Sequence, residues 1–301
     1  MKIGVMSDIH SNIVALKNCV EILEQQNCDE YFILGDFISD APYTRETLDY
    51  LYGFMDSHIC HVLRGNREEY MLGQRQVIHN NEVEKYWSKN SCSGNLLFAY
   101  EQLEEKDFEF FDSLPISFVY EKQGLPAITC CHGSVDNARE LLQFDGDNTR
   151  RWLEKIDTEY MICAHTHYPG ELKHAGKHYF NAGSLGITIA DQGLAQCMII
   201  QSIEVDGKQS WTPEFLKIPY DCRQVVKDVI DRGMLDYGLW FVNSNIYTWL
   251  TGRDVSAYMV IRAIELAKEA GRKWQWPIVD EECFEQAAKE YEVPDYRGVE
   301  I

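Results

Sequence analysis

The hydrophobic positions of the N-terminal part alternate between two periods. The run "KIGVM" (residues 2–6) is continuous and short, as in a strand buried on both faces, and Ile13, Leu16, Val20 and Leu23 then recur at helical spacing. "YFILGD" (31–36) followed by "TRETLDYLYGFM" repeats this pattern, and "ICHVLRGN" (59–66) followed by "REEYML" repeats it again. Strands alternating with helices predict an α/β sheet with parallel pairs.

Residues 68–114 are charged and mostly helical in pattern, ending at "FDSLP", which places them outside the sheet. Then the period changes. "ISFVYEKQGLPAITCCHGS" reads as two β-rich runs around a Gln-Gly turn, and "EYMICAHTH" as a strand. "GELKHAGKHYFNAGS" reads as a hairpin with Ala-Gly-Lys at its tip, and "LAQCMIIQSIEVDGKQSWTPEFLKI" as a hairpin around Asp206-Gly207. These make a second group of strands after the first. Beyond Pro219 the pattern is helical, most plainly over 254–271. There Asp254 can cap, Ala257, Val260, Ile261, Ile264 and Ala267 make one face, and Gly271 can stop the helix. The expected organisation is one domain over 1–220 and a helical extension over 221–301.

Composition narrows the partners. The formal charge is 28 − 48 = −20, a field that repels polyanions, and no basic stripe offsets it. Bulk nucleic acid is therefore disfavoured, whereas a small phosphorylated ligand needs only a local positive site. The ten cysteines are scattered without a CxxC, and "MKIGVMSDIH" holds no long apolar signal segment. A cytoplasmic protein with reduced, buried thiols is expected. No apolar run approaches the length that spans a membrane.

The polar residues that end each apolar run change the picture more. Asp8 and His10, Asp36, Asn66, His132, and His165 with His167 stand at the carboxyl ends of predicted strands, where open α/β sheets bind ligands. Residues two apart in a strand face the same side, which would let Asp8 with His10, and His165 with His167, close on one ion. Three oxygen donors and four imidazoles form a mixed set that suits Mn, Fe, Zn or Co better than Ca or Mg. The set exceeds the needs of one tetrahedral ion and suffices for two if a carboxylate bridges. Asp36, after the strand expected beside the first, is the expected bridge. Singly, each of these residues reads more simply as a core histidine or a helix cap; their joint order does not.

"DIH", "GD", "GN", "CCHGS" and "AHTH", in this order over residues 1 to about 218, resemble the signature of the calcineurin-like metallophosphoesterase superfamily. That signature is D-x-H, G-D, G-N-H-E/D, H and G-H-x-H, and Ala164 stands here where the last motif has glycine. "GDFISDAPYTRETLDYL", "FDSLP" and "FNAGSLG" are similar to the bacterial subgroup that includes asymmetric diadenosine tetraphosphate hydrolases. The resemblance implies a four-layer αββα sandwich of two facing mixed sheets with outer helices, and a helical C-terminal region outside the signature. It implies that Asp8, His10, Asp36 and His167 hold one metal ion and Asp36, Asn66, His132 and His165 a second, with Mn or Fe favoured. It further implies hydrolysis by a metal-activated hydroxide, with Asp36, Asn66, Arg67 and His132 as the catalytic candidates and no Ser or Cys nucleophile.

Where the superfamily has Gly-Asn-His, this chain has Gly65-Asn66-Arg67-Glu68. Arginine keeps its proton at working pH, so it can clamp a phosphate but cannot protonate a leaving group. A nucleotide polyphosphate or phosphodiester, whose leaving group departs as a stable anion, is the expected substrate. The alternative is a phosphomonoesterase or Ser/Thr protein phosphatase, against which stands "GDFISDA" in place of "GDxxDRG". A non-catalytic metal-binding scaffold would have lost ligands that are all present. The plainer reading of Arg67 is an ion pair with Glu68 or Glu69. Arg139, Arg150 and Arg151 are candidates for distal phosphates or for a solvated loop, and Tyr43 for base stacking or for packing. Trp87, Trp240, Trp249, Trp274 and Trp276 are candidates for lining a pocket or anchoring helices, and His58, His61, His79, His174 and His178 fit no ligand pattern.

Overall fold

The computed structural model describes residues 1–299. The N-terminal apolar runs become β1 (Lys2–Met6), β2 (Glu30–Leu34) and β3 (Cys60–Leu63), followed in turn by α1 (Ile13–Gln25), α2 (Thr44–Ser57) and α3 (Asn66–His79). β1 pairs parallel with β2, and β2 with β3, as helical crossovers require. Asn12 starts α1 by accepting the Ala15 amide, and Leu16, Cys19, Val20 and Leu23 turn inward.

Two short helices, α4 (Gly94–Tyr100) and α5 (Glu105–Ser113), precede the second sheet. That sheet contains β4 (Ser117–Tyr120), β5 (Ile128–Cys131), β6 (Tyr160–Cys163), β7 (Gly170–His174) and β8 (Lys177–Asn181), in the order β4-β5-β6-β8-β7. Arg150 and Arg151, read as part of a loop, lie in a helix, α6 (Asp147–Lys155).

The last hairpin, β9 (Leu194–Val205) and β10 (Lys208–Pro219), turns at Asp206 and Gly207, both at positive φ as a tight hairpin turn requires. It does not extend the second group of strands, as its place in the chain suggested. β9 pairs antiparallel with β1, so the first sheet runs β10-β9-β1-β2-β3. The open edge of β1 needed a partner, and β10, carrying Pro213 and Pro219, suits an outer edge.

Burial resolves four layers. Ile3, Val5, Phe32 and Leu34 of the first sheet meet Ile128, Cys130, Tyr160, Ile162 and Phe180 of the second in one apolar cluster. The opposite face of the first sheet, with Met6, Tyr31 and Ile33, packs under α1 and α2 and under two later helices, α7 (Cys222–Asp231) and α8 (Leu235–Thr251). The opposite face of the second, with Cys131, Met161, Cys163 and Tyr179, is covered by Leu142 and by Leu153 of α6. The fold is the expected αββα sandwich. Burying one side chain such as Phe32 is worth roughly 2–3 kcal/mol, so these clusters are the main force holding the layers together. All ten cysteines are free, and Cys130 and Cys131 are fully buried as packing groups. Among the described residues no helix is long and apolar enough to cross a membrane.

The chain ends in α9 (Ser256–Glu269) and α10 (Glu281–Glu290), which pack through Met259, Ala263, Ala267, Phe284, Ala287 and Ala288. Here α9 departs from expectation. Val255 takes the cap position, while Asp254 Oδ1 accepts the Ser256 amide. Ala257 and Ile261, expected on the inner face, are exposed instead. The alanines let α9 and α10 approach closely, and that contact sets the rotation of the helix.

Candidate metal centre

The donors follow the strands rather than lie in them. β1 ends at Met6 and β6 at Cys163, so Asp8, His10, His165 and His167 occupy the turns beyond, and strand alternation does not pair them. Asp8, His10, Asp36, His165 and His167 instead have φ of 48° to 66°. This left-handed conformation is uncommon for non-glycine residues and costs about 1–3 kcal/mol each. Surrounding bonds hold it: Asp8 N donates to Gly35 O (3.1 Å) and His10 N to Asp36 O (2.9 Å). Asn12 Nδ2 and Trp249 Nε1 of α8 both donate to Gly186 O (3.1 and 2.8 Å), while Gly186 N donates to Asp8 O (2.8 Å). Any side chain at Gly186 would place its Cβ 2.0 Å from Ile9 O, so only glycine lets this brace close.

Two donor groups result. Asp8, His10 and His167 form one, and Asp36, His132 and His165 the other, with the candidate ligand atoms of each within 4.8 Å of one another. Asn66 opens α3 beside the second group, its Oδ1 3.1 Å from His132 Nε2. Asp36 stands between the groups, Oδ1 3.4 Å from His132 Nε2 and Oδ2 3.9 Å from His10 Nε2. Every metal-ligand candidate of the sequence thus reaches one place, at the carboxyl edge of the sheets.

The chemistry of this set fits metal ions. His132 Nδ1 lies 2.7 Å from Leu34 O, His167 Nδ1 3.0 Å from Ile187 O, and His10 Nδ1 2.8 Å from Asp40 Oδ2. The His132 and His167 Nδ1 atoms are hydrogen-bonded in this way, which leaves their Nε2 lone pairs for a ligand role, whereas the His10 contact with Asp40 is close but not aligned. The Nε2 atoms of His10 and His167 converge to 3.1 Å, within reach of one shared proton or one shared ion. Asp8 Oδ1 is buried and receives no aligned hydrogen bond, although His167 Nε2 is 3.3 Å away. These atoms are aimed at shared points rather than at each other. Burial alone would raise the Asp8 and Asp36 carboxyls, but His167 and His132 hold them below the ordinary range. Burial would lower His132, but the Asp36 charge pushes it up to about 10. Burial and His132 together push His165 down to about 4. Buried carboxylates that hold a proton on a neighbouring imidazole suit cations, which bind by displacing such ring protons.

Three residues around the donors have roles that the sequence did not assign them. Asp40, in "GDFISDA", is 2 % exposed, and its Oδ2 meets His10 Nδ1 (2.8 Å) and Arg67 Nη2 (3.1 Å). Its Oδ1 accepts from Asn95 of α4 (2.9 Å) and Asn245 of α8 (3.1 Å). Burial would raise its carboxyl, but Arg67 and His10 hold it well below the usual carboxylate range. Glu68 does not pair with Arg67; it is fully buried and accepts the amides of Gly65 (2.7 Å), Asp36 (2.9 Å) and Phe37 (2.9 Å). Burial and the Asp36 charge push its carboxyl up to about 7. Gly65 is sterically required, because a Cβ there would lie 2.2 Å from Asp36 Oδ1. The only available signal for Asp40 was a second acid four residues after Asp36 in a turn.

Arg67 extends over the donors with its side chain 20 % exposed, Nε 3.9 Å from Asp36 Oδ2. Burial would lower its pKa, but Asp40 and Asp36 raise it, so the guanidinium stays charged. Arg139, Tyr168, Asp254, Tyr258 and Ile261 line the same cleft. Other candidates lie elsewhere. Arg150 binds Asp145 O (2.8 Å), and Tyr43 is buried with its hydroxyl on Asp228, a packing role that excludes base stacking. Trp87 and Trp249 are core residues, Trp240 packs against α9 and α10, and Trp274 carries Lys268 over its ring. His58, His61 and His174 pair with Glu24, Glu30 and Glu154, and His178 stacks on Tyr160.

Comparison with known proteins agrees with this geometry. The family described as calcineurin-like phosphoesterase matches residues 1–169. The serine/threonine-protein phosphatase 2B catalytic subunit A2 of Saccharomyces cerevisiae is 29% identical over 163 residues, 54% of this chain but 24% of that longer protein. The chain thus spans about a quarter of that relative's length. A hypothetical protein from Pyrococcus horikoshii superposes with a TM-score of 0.69 at 18% identity, covering 84% of this chain and 99% of that one. A metallophosphoesterase from Sphaerobacter thermophilus superposes at 0.60 with 20% identity, covering 79% and 98%. Both likenesses are of fold. With its donors gathered at the sheet edge and more than half its length matched, the chain belongs to the calcineurin-like phosphoesterase family.

Proposed function

We propose that this protein is a metal-dependent phosphoester hydrolase that cleaves a nucleotide polyphosphate or phosphodiester of the diadenosine tetraphosphate type in the cytoplasm. Asp8, His10, Asp36 and His167 would hold one metal ion and Asp36, Asn66, His132 and His165 the other. The observation that carries the reading is the Arg67 guanidinium in the metal cleft, 3.1 Å from Asp40. When bound, ions of the Mn or Fe class supply Lewis-acid activation of phosphoryl oxygens and of water. Arg67 clamps a phosphoryl oxygen and stabilises charge developing on the leaving group. It has no proton to give at working pH, so a leaving group that departs as a stable anion suits it better than a serine alkoxide. Asp40 holds the guanidinium in place, and Glu68 fixes the peptide that carries Asp36. The domain over 1–220 carries the chemistry, and the extension over 221–301 adds Asp254, Ala257, Tyr258 and Ile261 to the cleft wall. Similarity to the diadenosine tetraphosphate hydrolase subgroup supports the substrate, and ten free cysteines support a reducing compartment.

The match to a serine/threonine phosphatase favours a second reading, cleavage of a phosphoprotein monoester. Product analysis separates the two, using Mn-loaded protein with diadenosine tetraphosphate, a model diester and a phosphoserine peptide, and Asp36→Asn as the control. AMP and ATP released by the native protein and lost in the control support the first reading. Turnover of the peptide alone means that another group protonates the leaving oxygen, and the role given to Arg67 fails.

A further inference from the structure

A second cavity of about 360 Å³ adjoins the metal cleft. Arg67 and Arg139 line both, so the two share a wall. The rest of the lining includes residues from distant parts of the chain: Tyr70 of α3, Asn95 of α4, Phe241 of α8, Val260 of α9, and Trp276.

Its chemistry is specific. The Tyr70 and Trp276 rings are nearly parallel, 28° apart in plane with centroids 6.2 Å apart, and the Arg139 guanidinium lies 4.5 Å from the Tyr70 centroid. Flat π surfaces of this kind favour flat, polarisable partners. Asn95 is 3 % exposed, its Nδ2 is committed to Asp40, and its Oδ1 is buried without a hydrogen bond. An unpaired buried acceptor is costly and is relieved by an incoming N–H donor. The volume falls within the ~300–1,000 Å³ of small-molecule sites. The cationic residues stand where the two cavities meet, the place for phosphate groups joining a ring on one side to the metal cleft on the other.

We infer that this cavity binds a planar heteroaromatic group with an N–H donor, of the nucleobase class, joined to the phosphate that enters the metal cleft. The inference rests on the phosphoester reading of that cleft. It assigns ring recognition largely to Phe241, Val260 and Trp276, which lie beyond the residues 1–169 shared with the family.

The test is calorimetric binding to the full-length, Mn-loaded protein of adenosine 5′-monophosphate and of ribose 5-phosphate, which carries the same phosphate without the ring. The nucleotide is expected to bind about 10-fold tighter or better, roughly 1.4 kcal/mol. Val260→Trp, which fills the cavity from α9, is expected to remove that preference. Trp276→Ala, at a position 52% exposed and therefore gentler on folding, is expected to reduce it in the same direction. Equal affinities in the native protein, or equal weakening of both ligands by both variants, overturns the inference. A ring preference in a protein that hydrolyses no phosphoester defeats only the phosphoester reading; hydrolysis without a ring preference defeats only this one.

Discussion

β2 carries a buried carboxylate near each end: Glu30 at its start, 4 % exposed, and Asp36 just beyond its finish, 2 % exposed. Glu30 is fully answered by Lys122 Nζ (2.6 Å), His61 Nε2 (2.8 Å) and Tyr120 Oη (3.0 Å). Its backbone is ordinary strand. Asp36 has a left-handed backbone, one amide bond from Arg67 (2.8 Å), imidazoles from two donor groups and a second buried carboxylate, Asp8, nearby. Burial and charge are the same at both ends, so neither marks the chemistry. What differs is whether the partners complete each other: at Glu30 they do, and around Asp36 they are arranged for something else to be held.

The sharpest way to break this contrast is Asp36→Asn. Turnover should fall roughly 10³-fold or more, while the urea midpoint of metal-free protein falls only modestly, because His132 loses an attracting carboxylate but Asp8 loses a like-charged neighbour. A collapse of folding would instead make Asp36 a structural acid like Glu30. Asp40→Asn should lower Mn affinity or turnover about 10–100-fold, read from a Mn titration of activity, because it frees both His10 and Arg67. Glu30→Gln should cost roughly 1–2 kcal/mol in urea unfolding and leave kcat unchanged, the half-exposed Lys122 contributing little. The smallest effect is in pH. Burial raises the Glu30 carboxyl, but its bonds to Lys122, His61 and Tyr120 hold it below the ordinary 4.5. Its contribution is therefore full above that value and lost as the pH falls through the lower folded-state pKa. The stability gap between native protein and Glu30→Gln should shrink as the pH falls below about 4.5 and through the lower folded-state pKa; a constant gap would mean that the ionised form is not what stabilises.

The strand-and-helix order was legible because strands buried on both faces are continuous apolar runs, and the donors were legible because each run ends in one. The sheet that receives β9 and β10 was not, since strand neighbours are chosen by open edges far away in the chain. Nor was the backbone of Asp8-x-His10, whose spacing mimics a strand while its φ values do the aiming. Asp40 and Glu68 carry no periodic signal, and their roles exist only where several segments meet. The facing of α9 was set by Ala287 and Ala288 of α10, beyond any pattern within α9 itself.

Asp40 has one further consequence. Because its Oδ1 is gripped by Asn245 of α8 while its Oδ2 steers His10 and Arg67, the C-terminal helices and the catalytic edge cannot drift independently. A chimera joined near residue 220 to a foreign tail would inherit every donor yet lose this grip and the Trp249 brace on Gly186. In lineages that exchange tails, activity should therefore travel with the pairing rather than with either half.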